Sequence, residues 1–405
     1  MRNNKTRHSW KLSRRAAEVG PFLVMEVLER ALELERSGRS VIHLEVGEPD
    51  FDTPEPVREA AVRALRDGCT HYTHSLGRVE LREALSAWYR ARYGIEVSPD
   101  RFVVTVGSSS AMLLVFAALI EEGDRVLVPE PGYPCYPKFV RLLGGRPRSL
   151  LVDAVTAFQP SPSRLLRAVE QEQPKVVVVN SPSNPAGTLL EEDGWQCLVD
   201  STPANTAVVS DEIYHGLVYE GTARSVLEYL PDGVVVSGFS KLFAMTGWRL
   251  GWVVLPEPLV RTVRNLQQNL FISASDFAQI AAVAALTQCD EQLEAMRSAY
   301  DRRRRLLLRD LEKWGLHPAA PPHGAFYVLV DVSPWTRDVL SFVLQLLEDT
   351  GVAVTPGTDF GAAGEGFIRL SYAVSEDDLE EGIDRLGRYL TERRDRGSEG
   401  GPAKQ

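Results

Sequence analysis

Unbroken runs of valine dominate the middle of the chain, at 101–106 (RFVVTV), 125–129 (RVLVP), 175–180 (KVVVVN), 207–212 (AVVSDE), 234–239 (VVVSGF) and 250–255 (LGWVVL). Polar residues do not alternate within them, which is the pattern of strands buried on both faces of a largely parallel sheet. Helix-length stretches separate the runs, so the pattern predicts βαβ units and an α/β layered domain. One such helix is predicted from about 111 to 122, after a Gly-Ser-Ser-Ser turn, with Gly123 placed to stop it. The flanks read differently. An amphipathic helix is predicted at 22–36, with Met25, Leu28 and Leu32 on one face and Glu29 and Glu33 on the other. After about residue 291 come a long charged helix, a strand at 326–332 (FYVLVDV), a helix near 340–349, and the strands VAVTP and FIRLSYA. The expected organisation is an N-terminal arm that joins the small domain (1–50), a large domain (51–290), a C-terminal small domain (291–390) and a polar, Gly-rich tail (391–405) expected to be disordered.

Composition narrows the function classes. The chain has 405 residues, 44% hydrophobic and 25% charged, with a formal charge of −10. An acidic chain is a poor match to nucleic acid, which needs a basic surface. The arginine run 302–305 is read as a solvated helix face. The longest apolar run, at 111–120, is about half the ~18 residues a membrane helix needs, so no membrane role is expected. The basic N-terminus (Arg2, Lys5, Arg7, Lys11, Arg14, Arg15) is followed by no apolar segment, which makes the cytoplasm the expectation. Cys69, Cys135, Cys197 and Cys289 are far apart and suggest neither a zinc site nor a disulfide framework.

Ligands of open parallel sheets bind beyond the carboxyl ends of the strands. Four polar clusters follow the predicted strands there: GSSS (107–110), NSPSNPAG (180–187), SDEIYH (210–215) and SGFSKLFAMTGWRLG (237–251). Gly107, Ser108 and Ser109 opening a helix offer N–H groups, hydroxyls and the positive end of a dipole, an anion cradle to which Ser240 and Arg249 add. Lys241 among Phe239, Leu242 and Phe243 is a candidate for a lowered pKa and Schiff-base chemistry. Asp211, ending an apolar strand, needs a cationic partner. A phosphate site, a nucleophilic lysine and a carboxylate for a pyridinium nitrogen together describe a pyridoxal 5'-phosphate site. His215, His71 and His74 are read as core or supporting histidines and GAAGEG (361–366) as a loop, so no metal is expected.

The segment at 237–251 resembles the cofactor-lysine signature of class I aminotransferases, of the fold-type I pyridoxal-phosphate superfamily. GEPDFDTPEPV (47–57), HYTHSLGRVELREAL (71–85), PGYPCY (131–136), NSPSNPAGT (180–188), SDEIYHGLVY (210–219) and FIRLSYA (367–373) fit the family in order, over roughly 12–390. The resemblance implies that Lys241 carries the cofactor, Asp211 pairs with its ring nitrogen, and Tyr214 and Asn184 bond its phenolic oxygen. It implies Tyr133 stacked on the ring, and Ser108, Ser109, Ser240 and Arg249 on the phosphate. It also implies a homodimer in which Tyr72 reaches the partner's phosphate, and Arg369 clamping the substrate α-carboxylate beside Gly47.

The activity implied is ping-pong transfer of an amino group between an L-amino acid and a 2-oxo acid such as 2-oxoglutarate. Relatives accepting aspartate or prephenate commonly carry a lysine in the GSSS-equivalent turn and a Pro-Ser near the N-terminal helix. Here those positions correspond to Ser109 and Phe22, and Phe22, Leu23 and Met25 are expected to form an apolar wall. Neutral donors (alanine, aromatic or branched) are therefore favoured, with aspartate aminotransferase and C–S β-lyase activity as alternatives. The chain lacks the Gly-x-Gly-x-x-Gly strand–turn–helix expected of a nicotinamide dehydrogenase, and no helix-turn-helix-sized basic domain precedes residue 40, as a DNA-binding regulator's sensor domain would need.

Overall fold

The computed structural model describes residues 10–399, with side chains to 393. In chain order the strands are β1 (Ile42–His43), β2 (Phe102–Thr105), β3 (Arg125–Glu130), β4 (Arg146–Leu151), β5 (Val176–Asn180), β6 (Ala207–Asp211), β7 (Val234–Gly238), β8 (Gly251–Val254), β9 (Tyr327–Asp331), β10 (Val352–Ala353), β11 (Thr355–Pro356) and β12 (Phe367–Ser371). A seven-stranded sheet runs in the order β2-β8-β7-β6-β5-β3-β4, and only β8 points against its neighbours. Every residue of β2, β5, β7 and β8 is buried, which is why polar residues do not alternate along these runs. The strand β4 (RPRSLL) eludes the valine pattern because it pairs only with β3, at the sheet edge, where polar residues and Pro147 are tolerated. The carboxyl ends of β2, β3, β5, β6 and β7 share one edge of the sheet, and the polar clusters that follow β2, β5, β6 and β7 lie there.

The N-terminal segment crosses to the C-terminal third: β1 pairs in parallel with β10, and the antiparallel sheet β11-β12-β9 lies beside them. Register places Arg369 opposite both Thr355 and Leu329. Among the described residues no helix is long and apolar enough to cross a membrane.

Several elements depart from the sequence pattern. The helix after β2 spans Ser108–Leu119, not 111–122, because Gly107 (φ 82°) turns the chain directly into it and the serines form its first turn. It ends at an extended Ile120, and Gly123 instead closes a later turn with its N–H on Gly144 O. The helix Leu23–Arg36 buries Val24, Val27, Ala31 and Leu34, whereas Met25 and Leu32 are 45% and 36% exposed. The smaller side chains let it pack closely on β10 and β11. Half of the arginine run on the helix Asp290–Lys313 is internal. Arg303 makes two 2.8 Å bonds to Asp50, and Arg304 bonds Asp301, Glu220 and Pro322 O. Only Arg302 and Arg305 face solvent. A last helix, Glu376–Glu399, carries the chain past Thr391, so the segment expected to be a disordered tail begins inside a helix; residues 400–405 lie outside those described.

Candidate active site

One cavity at the strand ends is lined by Ser108, Ser109, Tyr133, Asn184, Asp211, Tyr214, Lys241, Arg369 and Gly47. These residues come from five strand ends or the turns beyond them, from the segment after β1, and from β12. Asp211, the last residue of β6, accepts from Tyr136 Oη at 2.6 Å and from Ile213 N at 3.2 Å. Burial outweighs both bonds and lifts its carboxyl to about 6. Opposite it in register, Asn180 donates Nδ2 to Asp211 O and accepts the Asn184 N–H, which fixes the Asn184 side chain toward β12.

Lys241 follows β7 and donates Nζ to Gly47 O at 2.5 Å, 5.8 Å from the Phe326 ring centroid. Burial first, and the Arg369 guanidinium second, depress it to about 8. Glycine is required at 47 because a Cβ there would lie 2.1 Å from Tyr327 Oη. That hydroxyl pairs with Tyr214 Oη at 2.8 Å, and burial pushes the Tyr214 phenol well up.

Arg369 is buried on β12. Its Nη1 donates to Asn184 Oδ1 at 3.0 Å, and its Nη2 to Glu45 O and Thr355 Oγ1. The guanidinium lies 4.3 Å from the Tyr327 ring centroid, and Nε has no protein partner. A buried fork held in plane with an unsatisfied donor is suited to a carboxylate.

The helix Ser108–Leu119 has no side-chain N-cap, so its first N–H groups face the cavity unsatisfied by side chains. A Cβ at Gly107 would sit 2.6 Å from Arg249 Nη2, which places that guanidinium against the turn. Open N–H donors, two hydroxyls and a guanidinium fit a phosphate. A depressed lysine and an isolated carboxylate fit the aldehyde and ring nitrogen of pyridoxal phosphate, so the residues present match the cofactor expected from the sequence.

Three of the expected site residues are not in the cavity wall. Ser240 is buried beside it, Arg249 stands behind Gly107, and Tyr72 is 80% exposed on the surface. The apolar wall is Phe22, Val24, Met25 and Met112; Leu23, the first residue of the helix, lines a neighbouring cavity instead. Tyr136, Tyr327 and Asn180 were not anticipated. Tyr136 lies in the first turn of the helix Cys135–Leu142, and only its place in the PGYPCY segment beside Tyr133 hinted at it; nothing local marks Tyr327. His215 is a satisfied core residue, with Nδ1 bonded to Tyr93 Oη and Nε2 to Ser181 O. Among the described residues no cluster could hold a metal.

A family model described as aminotransferase class I and II matches residues 39–386. The chain is 42% identical over 380 residues to a valine–pyruvate aminotransferase of Mycobacterium tuberculosis, covering 92% of this chain and 97% of that one. It is 41% identical over 388 residues to an aspartate/prephenate aminotransferase of Thermus thermophilus, covering 94% and 98%. A crystal structure of an aminotransferase from Mycobacterium tuberculosis superposes with a TM-score of 0.91 at 40% identity, covering 95% of this chain and all of that one.

Proposed function

Because the chain belongs to the class I and II aminotransferase family, we propose that this transaminase moves the amino group of a neutral, apolar L-amino acid to a 2-oxo acid such as 2-oxoglutarate in two ping-pong half-reactions. The observation that carries the substrate class is the cavity lining. Among the described residues its only cations are Lys241 and Arg369, and the wall opposite them is Phe22, Val24, Met25 and Met112. Arg369 is committed to the α-carboxylate and Lys241 to the cofactor, so a second substrate carboxylate would be buried without a partner.

Bound pyridoxal phosphate supplies the electron sink for ionising the substrate Cα–H and the carbonyl that carries the amino group between half-reactions. The protein's residues do the rest. The first N–H groups of the helix at 108, with Ser108, Ser109, Ser240 and Arg249, hold the phosphate. Asp211, kept ionised by a pyridinium partner and oriented by Tyr136, holds a proton on the ring nitrogen. Tyr214 and Asn184 bond the phenolic oxygen, and Tyr133 covers the ring face. Arg369 binds the α-carboxylate through a charge-assisted fork and orients Cα toward Lys241. The Lys241 amine, neutral in a useful fraction because its pKa is about 8, takes the Cα proton and returns it to the carbon on the other side of the amino nitrogen, a 1,3 shift. Two copies of the chain form the working unit, with Tyr72 reaching the partner's phosphate. The exposed Tyr72, Leu270 and Ile272, joined through the Thr73 N to Ser273 Oγ bond, support this reading as an apolar strip.

The test is the absorbance of purified holoenzyme as single amino acids are added, followed by product analysis. Conversion of the cofactor band by valine, alanine or an aromatic donor, but not by aspartate, is the expected result. The similarity to the Thermus thermophilus relative favours aspartate as the second reading, and conversion by aspartate and glutamate alone would establish it instead. Ammonia and pyruvate without an accepting oxo acid would mark a lyase.

A further inference from the structure

The wall that selects the donor stands on the first turn of the helix Leu23–Arg36, and that turn has no cap of its own. Its N-cap residue is Phe22, which makes no side-chain capping bond. The missing cap comes from 336 residues away: Asp359 Oδ1 accepts Leu23 N at 2.9 Å, and Oδ2 accepts Val24 N at 3.2 Å. Both are N–H groups that a helix leaves orphaned, and a carboxylate at that end also meets the positive pole of the dipole.

Asp359 belongs to a segment that leads straight to the substrate-carboxylate site. Thr355, four residues earlier, accepts from Arg369 Nη2 and donates to Glu45 O. Phe360, the next residue, lies 5.0 Å below the Arg369 guanidinium, and its carbonyl accepts the Gly132 N–H beside Tyr133. On the far side of the capped turn, Phe22 meets Tyr133 edge-on at 6.5 Å, with Lys138 Nζ 5.2 Å from its ring and bonded to Pro21 O. Resting on the apolar-donor reading above, we infer that Asp359 is a positioning residue for substrate selection, clamping the helix at Leu23 and Val24 so that Phe22, Val24 and Met25 are held against the donor side chain. It touches no reacting atom. Its effect is confined to donors long enough to reach the wall, because alanine ends short of it.

The test compares holoenzyme carrying Asp359→Asn, Asp359→Ala or Leu23→Pro with wild type. Proline at the first helical position removes the N–H that Oδ1 accepts while leaving the helix intact, so it carries the test if the Asp359 variants fold poorly. Hydrogen exchange at the Leu23 and Val24 amides reports the clamp, and steady-state constants for a large apolar donor and for alanine report selection. The expected result is lost amide protection and a KM for the large donor raised about fivefold, the size of one lost cap, in Asp359→Ala. The kcat, and both constants for alanine, stay within about twofold. The Leu23→Pro variant should move the same KM in the same direction. Unchanged protection, or lost protection with an unchanged ratio of large-donor to alanine KM, overturns the inference. A wild-type enzyme that turned over only aspartate would refute the apolar-donor reading, and this one with it. An apolar-donor enzyme whose variants keep the wild-type ratio refutes the role of Asp359 alone.

Discussion

Replacing Tyr136 with Phe isolates one hydroxyl. The ring is buried and edge-on to Tyr133 at 5.2 Å, so packing survives while the 2.6 Å bond to Asp211 Oδ2 is lost. A hydrogen bond to an ionised acceptor contributes roughly 1.5–3 kcal/mol, against about 1 kcal/mol for a neutral one. The substitution therefore favours the protonated carboxyl by about 1 kcal/mol, moving Asp211 from about 6 toward about 7. A carboxyl whose folded pKa is raised contributes stability that is fully present below its unfolded pKa and is lost as pH rises through the folded one. In the wild-type apoenzyme that loss ends just above pH 6; in the variant it continues for about one further pH unit. Urea unfolding of the two apoenzymes should show a stability gap of about 1 kcal/mol near pH 5 that grows to about 2 kcal/mol near pH 8. A gap that stays constant with pH, or narrows as pH rises, would refute the claim that Tyr136 acts on the ionised form of Asp211.

Other expectations follow from the same geometry. The rate at which apoenzyme captures pyridoxal phosphate, followed by absorbance, should rise with pH and level off above about 8, where the Lys241 amine becomes neutral; continued increase toward the ordinary lysine value of 10.5 would contradict the depressed pKa. Gly107→Ala combines a φ of 82° with a Cβ 2.6 Å from Arg249 Nη2. Displacement of that guanidinium should weaken cofactor binding at least about tenfold, measured by titration of apoenzyme. Arg369→Lys keeps the charge but loses the fork, and kcat/KM for every donor should fall about a hundredfold. Ser109→Lys places a cation in a wall that has none to spare; kcat/KM for aspartate should rise about tenfold relative to valine.

Much of the site was legible in the chain because its parts are local. Lys241, Asp211, Asn184 and the Gly107 turn each end a buried strand, and a strand buried on both faces announces itself as a valine run. The neighbouring polar residues are then conspicuous. The same logic hid β4, an edge strand with no reason to be apolar. It also misjudged the arginines at 302–305, whose burial depends on Asp50 and Glu220 arriving from other segments.

By itself, the sequence determined the layered α/β class, the strand ends at which chemistry gathers, and the residue types able to hold a phosphate and a ring nitrogen. These follow from periodicity and from spacing within short segments. Only the tertiary structure decided that Val24, not Leu23, lines the cavity, that Tyr136 rather than a cation meets Asp211, that Tyr327 rests on Arg369, and that Asp359 caps a helix 336 residues away. Each of those contacts joins groups far apart in the chain. Their distance and orientation are set by how the sheet and helices pack, and no pattern of neighbouring residues encodes that.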